Sequence, residues 1–594
     1  MTAGLFAATV DLFRLECRRL APIGVAALAL SLCLVTYYGR ALDLLHQSHV
    51  VFEAIGAACG AAGWLLGVYQ LSGHRRPAEW ICLIHRPVPP QFIGAAIVAA
   101  GALLLFVVIA VPGIFLLTAQ SWLGEHVVDS RHWLLPFAGA SIAFAFYLAG
   151  CYAALVRRRY APLLLVLPGL FALSEATGAM ALLLQSAVSL WLLTLVLCAF
   201  EADPDRPPRS ASALLALALP VQMGLYLLLL FGAGSVYQAI WIVIGSHPLN
   251  SVPKEGGFVE ASRLPGSALI AAGIPEPMRA TLNGRPVVTI TPQIGRLPVR
   301  GEMVDSGRIW FDDERRGLRW TFSHDLWTFR GLRQAGGRSA AVYPTVGFAA
   351  VFERPPLQLG GGLMTDGSRL LLFDAESGSI RVRHALPTGE TLAAAPSPLE
   401  GADLMLTDRA LHVRSESGGI RVPLPAEIGT LERVDVARLR SDYLISFTFG
   451  RGWAEGRGSA FQSTFRVTQE GRAVQLGSRP LGSDYGEFFR QRSWWLSPVL
   501  SSVLDRAPWF LARRPEVTEA PRSNVTSGAA VLALLLTMAA AATAGWWTGQ
   551  ATLPAGRRFF WVTTALVFGL PGALAAMLAH PRSDWPLRRD GDRV

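Results

Sequence analysis

Apolar residues in this chain gather into long unbroken runs toward both ends and alternate with polar residues over a long central part. Runs able to form a membrane-spanning helix lie at 20–38, 51–72, 92–117, 134–156, 213–245, 527–547 and 559–580. Crossing the hydrocarbon takes about 20 residues at roughly 1.5 Å each. The stretch 160–200 is longer than one such helix and shorter than two, with a polar break, Ser-Glu-Ala-Thr-Gly, at 174–178. As one helix it would be about 57 Å long, nearly twice the hydrocarbon thickness. We read a short or re-entrant fifth helix there and a sixth at 179–200. The pattern therefore predicts an α-helical integral membrane protein with about nine transmembrane helices, or eight if 160–200 crosses once.

Ahead of the first run, residues 2–19 mix Leu5, Phe6, Val10 and Phe13 with Asp11, Arg14, Glu16, Arg18 and Arg19. That mixture predicts an amphipathic helix lying on the membrane surface, at 1–19, before a transmembrane domain at 20–245. No small-residue cleavage site stands out, so the first run reads as an anchor.

Within 246–512 the period changes to that of strands. Runs at 286–291, 369–373, 379–384 and 443–449 are separated by turn signals such as Asn283-Gly284, Asp366-Gly367, Glu376-Ser377-Gly378 and Ser417-Gly418-Gly419. The segments 366–387 and 401–425 resemble each other, each running strand, turn, strand and ending in Leu-Pro. Such a repeat suits an all-β domain, propeller-like or a sandwich. At its end, 487–511 sets Trp494, Trp495 and Trp509 among arginines, an interfacial composition. The region 513–580 then holds two further transmembrane helices, with Trp546, Trp547 and Trp561 marking the boundary, followed by a polar tail at 581–594.

Composition supports this reading. Hydrophobic residues make up 52% and charged residues 16%, with a mean hydropathy of +0.38; soluble domains carry about 25% charged residues. The net charge of +10 rests on arginine, since Lys254 is the sole lysine. In a membrane protein such a balance reflects positive-inside loops and contact with lipid head groups, and no nucleic-acid partner is implied. Arg14, Arg18, Arg19, Arg75, Arg76, Arg86, Arg157, Arg158 and Arg159 fall on one set of loops, against Arg40 and Arg131 on the other. The amino-terminal segment, the 73–91 loop and the 157–159 turn are thereby expected in the cytoplasm, in a bacterial inner membrane.

The side of the β domain is contested by the pattern itself. Nine crossings place it outside the cytoplasm and eight place it inside. Arg513, Arg514 and Arg522 in the linker and Arg582, Arg588, Arg589 and Arg593 in the tail favour eight. The length of 160–200 favours nine, and long domains cross largely regardless of charge. We therefore expect an extracytoplasmic β domain.

Candidate chemistry is sparse. GxSxG, HExxH and paired CxxC are missing, and Val252-Pro253-Lys254-Glu255, which holds the sole lysine, is no Walker A loop. The chain reads as no enzyme, with no cofactor and no metal. The six cysteines all precede residue 200 and form no CxxC pair, which argues against a disulfide framework or zinc ribbon. His46 with His49, and His126 with Asp129 and His132, have ligand-like spacing; solvated loop residues are the stronger reading of both. Asn524-Val525-Thr526 fits a glycosylation acceptor, a pattern that also arises by chance. Glu175 stands out as an intramembrane polar candidate, because a carboxylate is expensive in hydrocarbon.

The most informative loop is 74–91, HRRPAEWICLIHRPVPPQ. Arg75 and Arg76 precede Glu79, then a short apolar helix with Trp80, Ile81, Leu83 and Ile84, then His85-Arg86-Pro87-Val88. This resembles the cytoplasmic loop between the second and third helices of ABC-2 type transporter permeases, where a glutamate-headed coupling helix ends in a Leu-Pro-Val-like turn. The resemblance extends over about 1–210, taking in the amphipathic first segment and six helices. The β domain and the last spans lie outside that family plan. It implies the membrane subunit of an ATP-binding-cassette exporter, driven by an ABC ATPase on a separate chain, with a homo- or heterodimer of permeases left open. Arg75, Arg76, Glu79, Trp80, Ile84, Arg86 and Pro87 would form the ATPase-docking site, with Trp80 and Ile84 as apolar anchors. The alternative is a membrane-anchored β-domain protein for binding or assembly, without transport. No substrate is named by the sequence.

Overall fold

The protein was obtained as a computed structural model. It describes residues 2–41, 45, 47–123, 127–173, 178–205, 208, 210–295, 297–301, 310–333, 352–415, 418–440, 442–510 and 525–582.

The amino-terminal part is a helical bundle. Its helices are α1 (Thr2–Ala41), α2 (His49–His74), the short α3 (Pro77–Ile84), α4 (Pro90–Leu123), α5 (Leu135–Leu155), α6 (Ala179–Ala199), α7 (Ala211–Leu227) and α8 (Gly234–Val243). A single π turn at Leu228–Ala233 makes α7 and α8 one continuous rod. Among the described residues, seven helices are long and apolar enough to cross a membrane, counting that rod once and including one near the carboxyl end.

Residues 2–19 do not form a separate surface helix. They continue into the first apolar run through Pro22 as one helix. The cause is packing: Leu12 is buried, and Leu5, Ala8 and Phe13 rest on the bundle core, so the apolar stripe meets protein along α1.

The tightest seam joins α2 to α5. A Cβ added at Gly63 would sit 2.0 Å from the Ala143 carbonyl oxygen, and one at Gly67 would sit 2.3 Å from that of Tyr147. Lipid supplies no hydrophobic drive between helices, so bare backbone faces that allow such approach are what hold them together.

Residues 161–173 turn out irregular, a 3₁₀ turn at Ala161–Leu165 followed by a π turn at Pro168–Ala172. Leu173 reaches within 3.3 Å of a Cβ built at Gly56, in the first half of α2. The segment thus travels along the bundle before α6 returns, where a short or re-entrant fifth helix was expected. Glu175 lies outside the described residues, as do His46, His126, Asn524, the linker arginines and Arg588, Arg589 and Arg593 of the tail.

The central region opens with three short helices, α9 (Phe258–Arg263), α10 (Gly266–Ala272) and α11 (Glu276–Arg279), and continues in four antiparallel sheets. One holds β2 (Trp310–Asp313), β3 (Leu318–Ser323) and β4 (Thr328–Arg333). The next is β5 (Leu357–Gly360), β6 (Leu363–Thr365), β7 (Arg369–Asp374) and β8 (Ser379–Ala385). The third is β9 (Ser397–Leu399), β10 (Ala402–Leu406), β11 (Ala410–Ser415) and β12 (Gly418–Pro423). The last joins β1 (Val287–Ile290), from the start of the domain, to β13 (Leu431–Arg438), β14 (Asp442–Phe449), β15 (Phe461–Thr468) and β16 (Ala473–Pro480). Of the two similar segments seen in the sequence, 366–387 supplies β7–β8 and 401–425 supplies three strands, β10–β12, where strand, turn, strand was expected. Among the described residues the sheets close into neither a barrel nor a propeller.

Three helices follow, α12 (Glu487–Arg490), α13 (Arg492–Leu496) and α14 (Pro498–Phe510), and they pack on the bundle. The Tyr226 hydroxyl of α7 donates to the Ser493 carbonyl at 2.8 Å, and Leu496 and Leu500 are buried beside it. Then come α15 (Ser527–Gln550), α16 (Ala555–Phe568) and α17 (Leu570–Ala579).

The run at 559–580, expected as one span, folds as a hairpin. Gly569 has φ 69° and ψ −140°, a conformation that costs a residue without Cβ least. Beyond it α17 doubles back along α16. A Cβ at Gly572 would lie 2.7 Å from the Ala565 Cα, and the Trp561 indole N–H donates to His580 Nε2 at 3.2 Å. His580 therefore ends beside the start of α16, with its carbonyl accepting from Trp547 at 2.8 Å.

Candidate functional site

The bundle has two distinct ends. At one, the loop before α5 meets the β domain. Asp129, Ser130, Arg131 and His132 form a capped 3₁₀ turn in which the Asp129 N–H donates to His132 Nδ1 at 2.8 Å. The Asp129 carboxylate, 1% exposed, accepts from the Ser323 hydroxyl at 2.6 Å and the His324 N–H at 2.9 Å. Ser130 donates through its N–H and its hydroxyl to Asp325 at 2.6 and 2.7 Å. All three partners lie at the tip of the β3–β4 hairpin, so this turn is a clamp. The ligand-like spacing of Asp129 and His132 is used for that purpose, and no metal-binding group of three or more His, Cys, Asp or Glu occurs among the described residues.

At the other end stands α3. Pro77 opens it at the first helical turn, where its missing N–H costs nothing, and Glu79 sits in the same turn facing the positive end of the helix dipole. Eight residues are too few for a stable isolated helix, so tertiary contacts hold it. They are concentrated on Trp80, which is 6% exposed. Its ring lies 5.7 Å from that of Phe200 at the end of α6, and its indole N–H donates to the Ala202 carbonyl at 3.4 Å. The Arg75 guanidinium stacks over it at 5.1 Å and donates to Asp205 at 3.1 Å. Burial pulls the Arg75 guanidinium below its usual value, a shift that Asp205 opposes. Asp205 also accepts from the Arg157 N–H at 2.7 Å, and its carbonyl accepts from Arg158 at 2.9 Å.

Those contacts change the assignment of the loop residues. Trp80 and Ile84 face inward, buried and half-buried, and so are braces rather than partner anchors. The exposed face carries Arg76, Glu79, Ile81, Cys82, His85 and Arg86 with Pro87, and Ile81 is 57% exposed. Arg76 and Glu79 pair loosely at 3.9 Å. The sequence set Trp80 and Ile84 outward as anchors, and the structure turns them inward; Trp80, Ile81, Leu83 and Ile84 ring the whole helix, so its apolar pattern alone does not choose a face.

A buried polar chain beside α3 escaped the sequence reading. His74 Nε2, at the start of the loop, lies 3.0 Å from the Glu16 carboxylate of α1 and 2.9 Å from Arg19. Gln70 donates to the same carboxylate at 3.2 Å, and its amide oxygen accepts from the Tyr147 hydroxyl of α5 at 2.7 Å. Glu16 is 3% exposed and Gln70 and Tyr147 are fully buried. Buried polar groups within a bundle are costly unless satisfied in this way. The glutamine at 70, inside the apolar run 51–72, was the available signal; Glu16 was hidden among the charges of residues 2–19.

The end carrying α3 also gathers Arg557, whose guanidinium reaches the Pro208 carbonyl at 3.5 Å, and Arg582, which stacks over Trp547 at 5.2 Å. It is the arginine-rich end, while α4, about 51 Å long at 1.5 Å per residue, separates it from the β-domain clamp. The chain matches no known protein family, no curated protein and no solved structure.

Proposed function

We propose that the protein is the membrane permease subunit of an ATP-binding-cassette exporter, and that a separate ATPase docks on the outer face of α3. The observation that carries this reading is the construction of α3. It is a short helix held on its inner side by Trp80, which packs on the end of α6 beneath the Arg75 guanidinium, and it presents Ile81, rimmed by charges, on its outer side. A membrane half without a nucleotide site needs a rigid projection through which a partner can tilt helices. An exposed aliphatic centre inside a charged rim is the composition of such a contact.

The same reading accounts for the charges of the amino-terminal half and of the tail, and not for those of the linker. Counting the irregular segment at 161–173 as a crossing, the chain would cross eight times, and the α16–α17 hairpin would re-enter without crossing. The amino-terminal segment, α3 and the tail arginines then share the cytoplasmic side, and the β domain lies outside. Neither a plain eight nor a plain nine achieves both.

The test is co-purification with the Walker A ATPase encoded nearest to this chain. Wild type should retain it, whereas Ile81→Glu combined with Arg86→Glu should lose it while keeping the wild-type unfolding temperature. Retention by the double variant would exclude α3 as the docking face. A second reading, a membrane-anchored β-domain binding protein, draws on the firm clamp at Asp129; it predicts that no ATPase accompanies even the wild type.

A further inference from the structure

The β domain contains a built cleft that the transport reading does not use. It is open, about 780 Å³ in volume, and lies at the seam between the sheet of β5–β8 and that of β9–β12. Volumes of roughly 300–1,000 Å³ are typical of sites for small ligands.

Register explains its lining. In the third sheet Asp403 lies opposite Arg414, and His412 lies opposite Arg421. Residues two apart on a strand share a face, so these four side chains project together. From the second sheet, β8 has an irregularity in which Val382 pairs with Leu371 and His384 with Leu370, leaving Arg383 as the extra residue. A bulge re-aims side chains that would otherwise alternate. Both Arg383 and His384 consequently line the cleft.

The cations are held in place from beneath. Glu390, 3% exposed on its side chain, lies 2.7 Å from His412 Nε2 and accepts from Arg421 at 2.9 Å. Arg383 donates to Asp403 at 2.7 Å. Arg414 differs from both. Its guanidinium lies 3.2 Å from His384 Nδ1 and 3.3 Å from the Ala385 carbonyl, and among the described residues no carboxylate lies within ion-pair distance of it. Three arginines thus face two carboxylates. Each guanidinium carries five N–H donors, so several remain for a ligand. Solvated surface arginines would not need a buried glutamate and a bulge to converge them.

We propose that this cleft binds a ligand bearing two or more negative charges on phosphate or carboxylate groups, with Arg414 as its principal contact and Arg383 and Arg421 alongside. Paired oxyanions match the fork geometry of guanidinium groups. The proposal is independent of the ATPase reading, since it concerns the opposite end of the molecule.

The test uses the full chain in detergent, titrated calorimetrically with pyrophosphate, with citrate, with short-chain phosphatidate and with short-chain phosphatidylcholine as the zwitterionic control. The wild type should bind pyrophosphate, citrate or phosphatidate and not phosphatidylcholine. Arg414→Gln should weaken that binding by about tenfold or more, the loss expected for a hydrogen bond to a charged group. Arg381→Gln, at an exposed arginine paired with Asp374 outside the cleft, should bind as wild type does, and both variants should unfold at the wild-type temperature. Binding of phosphatidate alone would identify a lipid headgroup, and binding of pyrophosphate or citrate a soluble polyanion. Wild type that binds none of the three anions, or Arg414→Gln that binds them equally well, would overturn the proposal.

Discussion

The two ends of the bundle make opposite use of polar side chains. At the β-domain end, Asp129 and Ser130 spend their hydrogen-bonding capacity on Ser323, His324 and Asp325, and Asp129 is sealed from water. At the arginine-rich end, Arg75 and Trp80 are consumed internally, but Ile81, Cys82, His85 and Arg86 are left on the surface. The first end is closed on its own chain. The second is braced from behind and open in front, which is the arrangement expected where a partner must push.

That contrast is broken most severely at Asp129. Asp129→Ala removes the acceptor of two buried donors and of the neighbouring Arg131, 3.7 Å away. Loss of one side of a buried charged network costs about 3–5 kcal/mol. The β3–β4 hairpin should become protease-sensitive in limited proteolysis, with ATPase capture unaffected. Trp80→Ala strikes the other end: removal of a buried tryptophan costs about 3–5 kcal/mol. Its unfolding temperature should fall and the ATPase should be lost with the brace, while Trp80→Phe restores part of both.

Glu390 gives a way to weaken the β domain without touching either end. Burial opposes its charge, but hydrogen bonds from His412, Thr407 and Arg421 outweigh this and hold its carboxyl below the ordinary 4.5. A depressed carboxyl pKa stabilises the fold above 4.5, and that contribution is lost as the pH falls further. Glu390→Gln should therefore lower stability by about 1–3 kcal/mol at neutral pH, the cost of leaving buried partners unmet, and flatten the acid limb of the pH–stability curve. The smallest expected effect on stability is at the open face. Ile81→Glu with Arg86→Glu should change it by no more than about 0.5 kcal/mol, as exposed substitutions do, yet abolish ATPase capture.

How far the sequence carried depended on whether a signal was local. Apolar runs revealed the long helices because hydrocarbon demands length and little else. Turn signals and the 366–387/401–425 likeness found the meanders for the same reason. Three features needed partners distant in the chain. Asp129 finds its acceptor role 194 residues away at Ser323. Trp80 is turned inward by Phe200 and the Ala202 carbonyl, which no helical period in an eight-residue segment encodes. The bulge at Arg383 exists only in the pairing with β7. The α16–α17 hairpin is different, since Gly569-Leu570-Pro571 was a legible turn signal inside an apolar run, outweighed by the run's length.

Whether the two ends face different compartments can be read from labelling by a membrane-impermeant maleimide. Cys82 is a native, exposed thiol on the outer face of α3, and Ser377 is exposed in the turn between β7 and β8. One chain would retain Cys82 and the other would carry Ser377→Cys, with the remaining cysteines replaced by alanine in both. With the ends on opposite sides, Ser377→Cys reacts in spheroplasts whose inner membrane is sealed, and Cys82 reacts only after that membrane is permeabilised. Reaction of both thiols from the same side would contradict that arrangement.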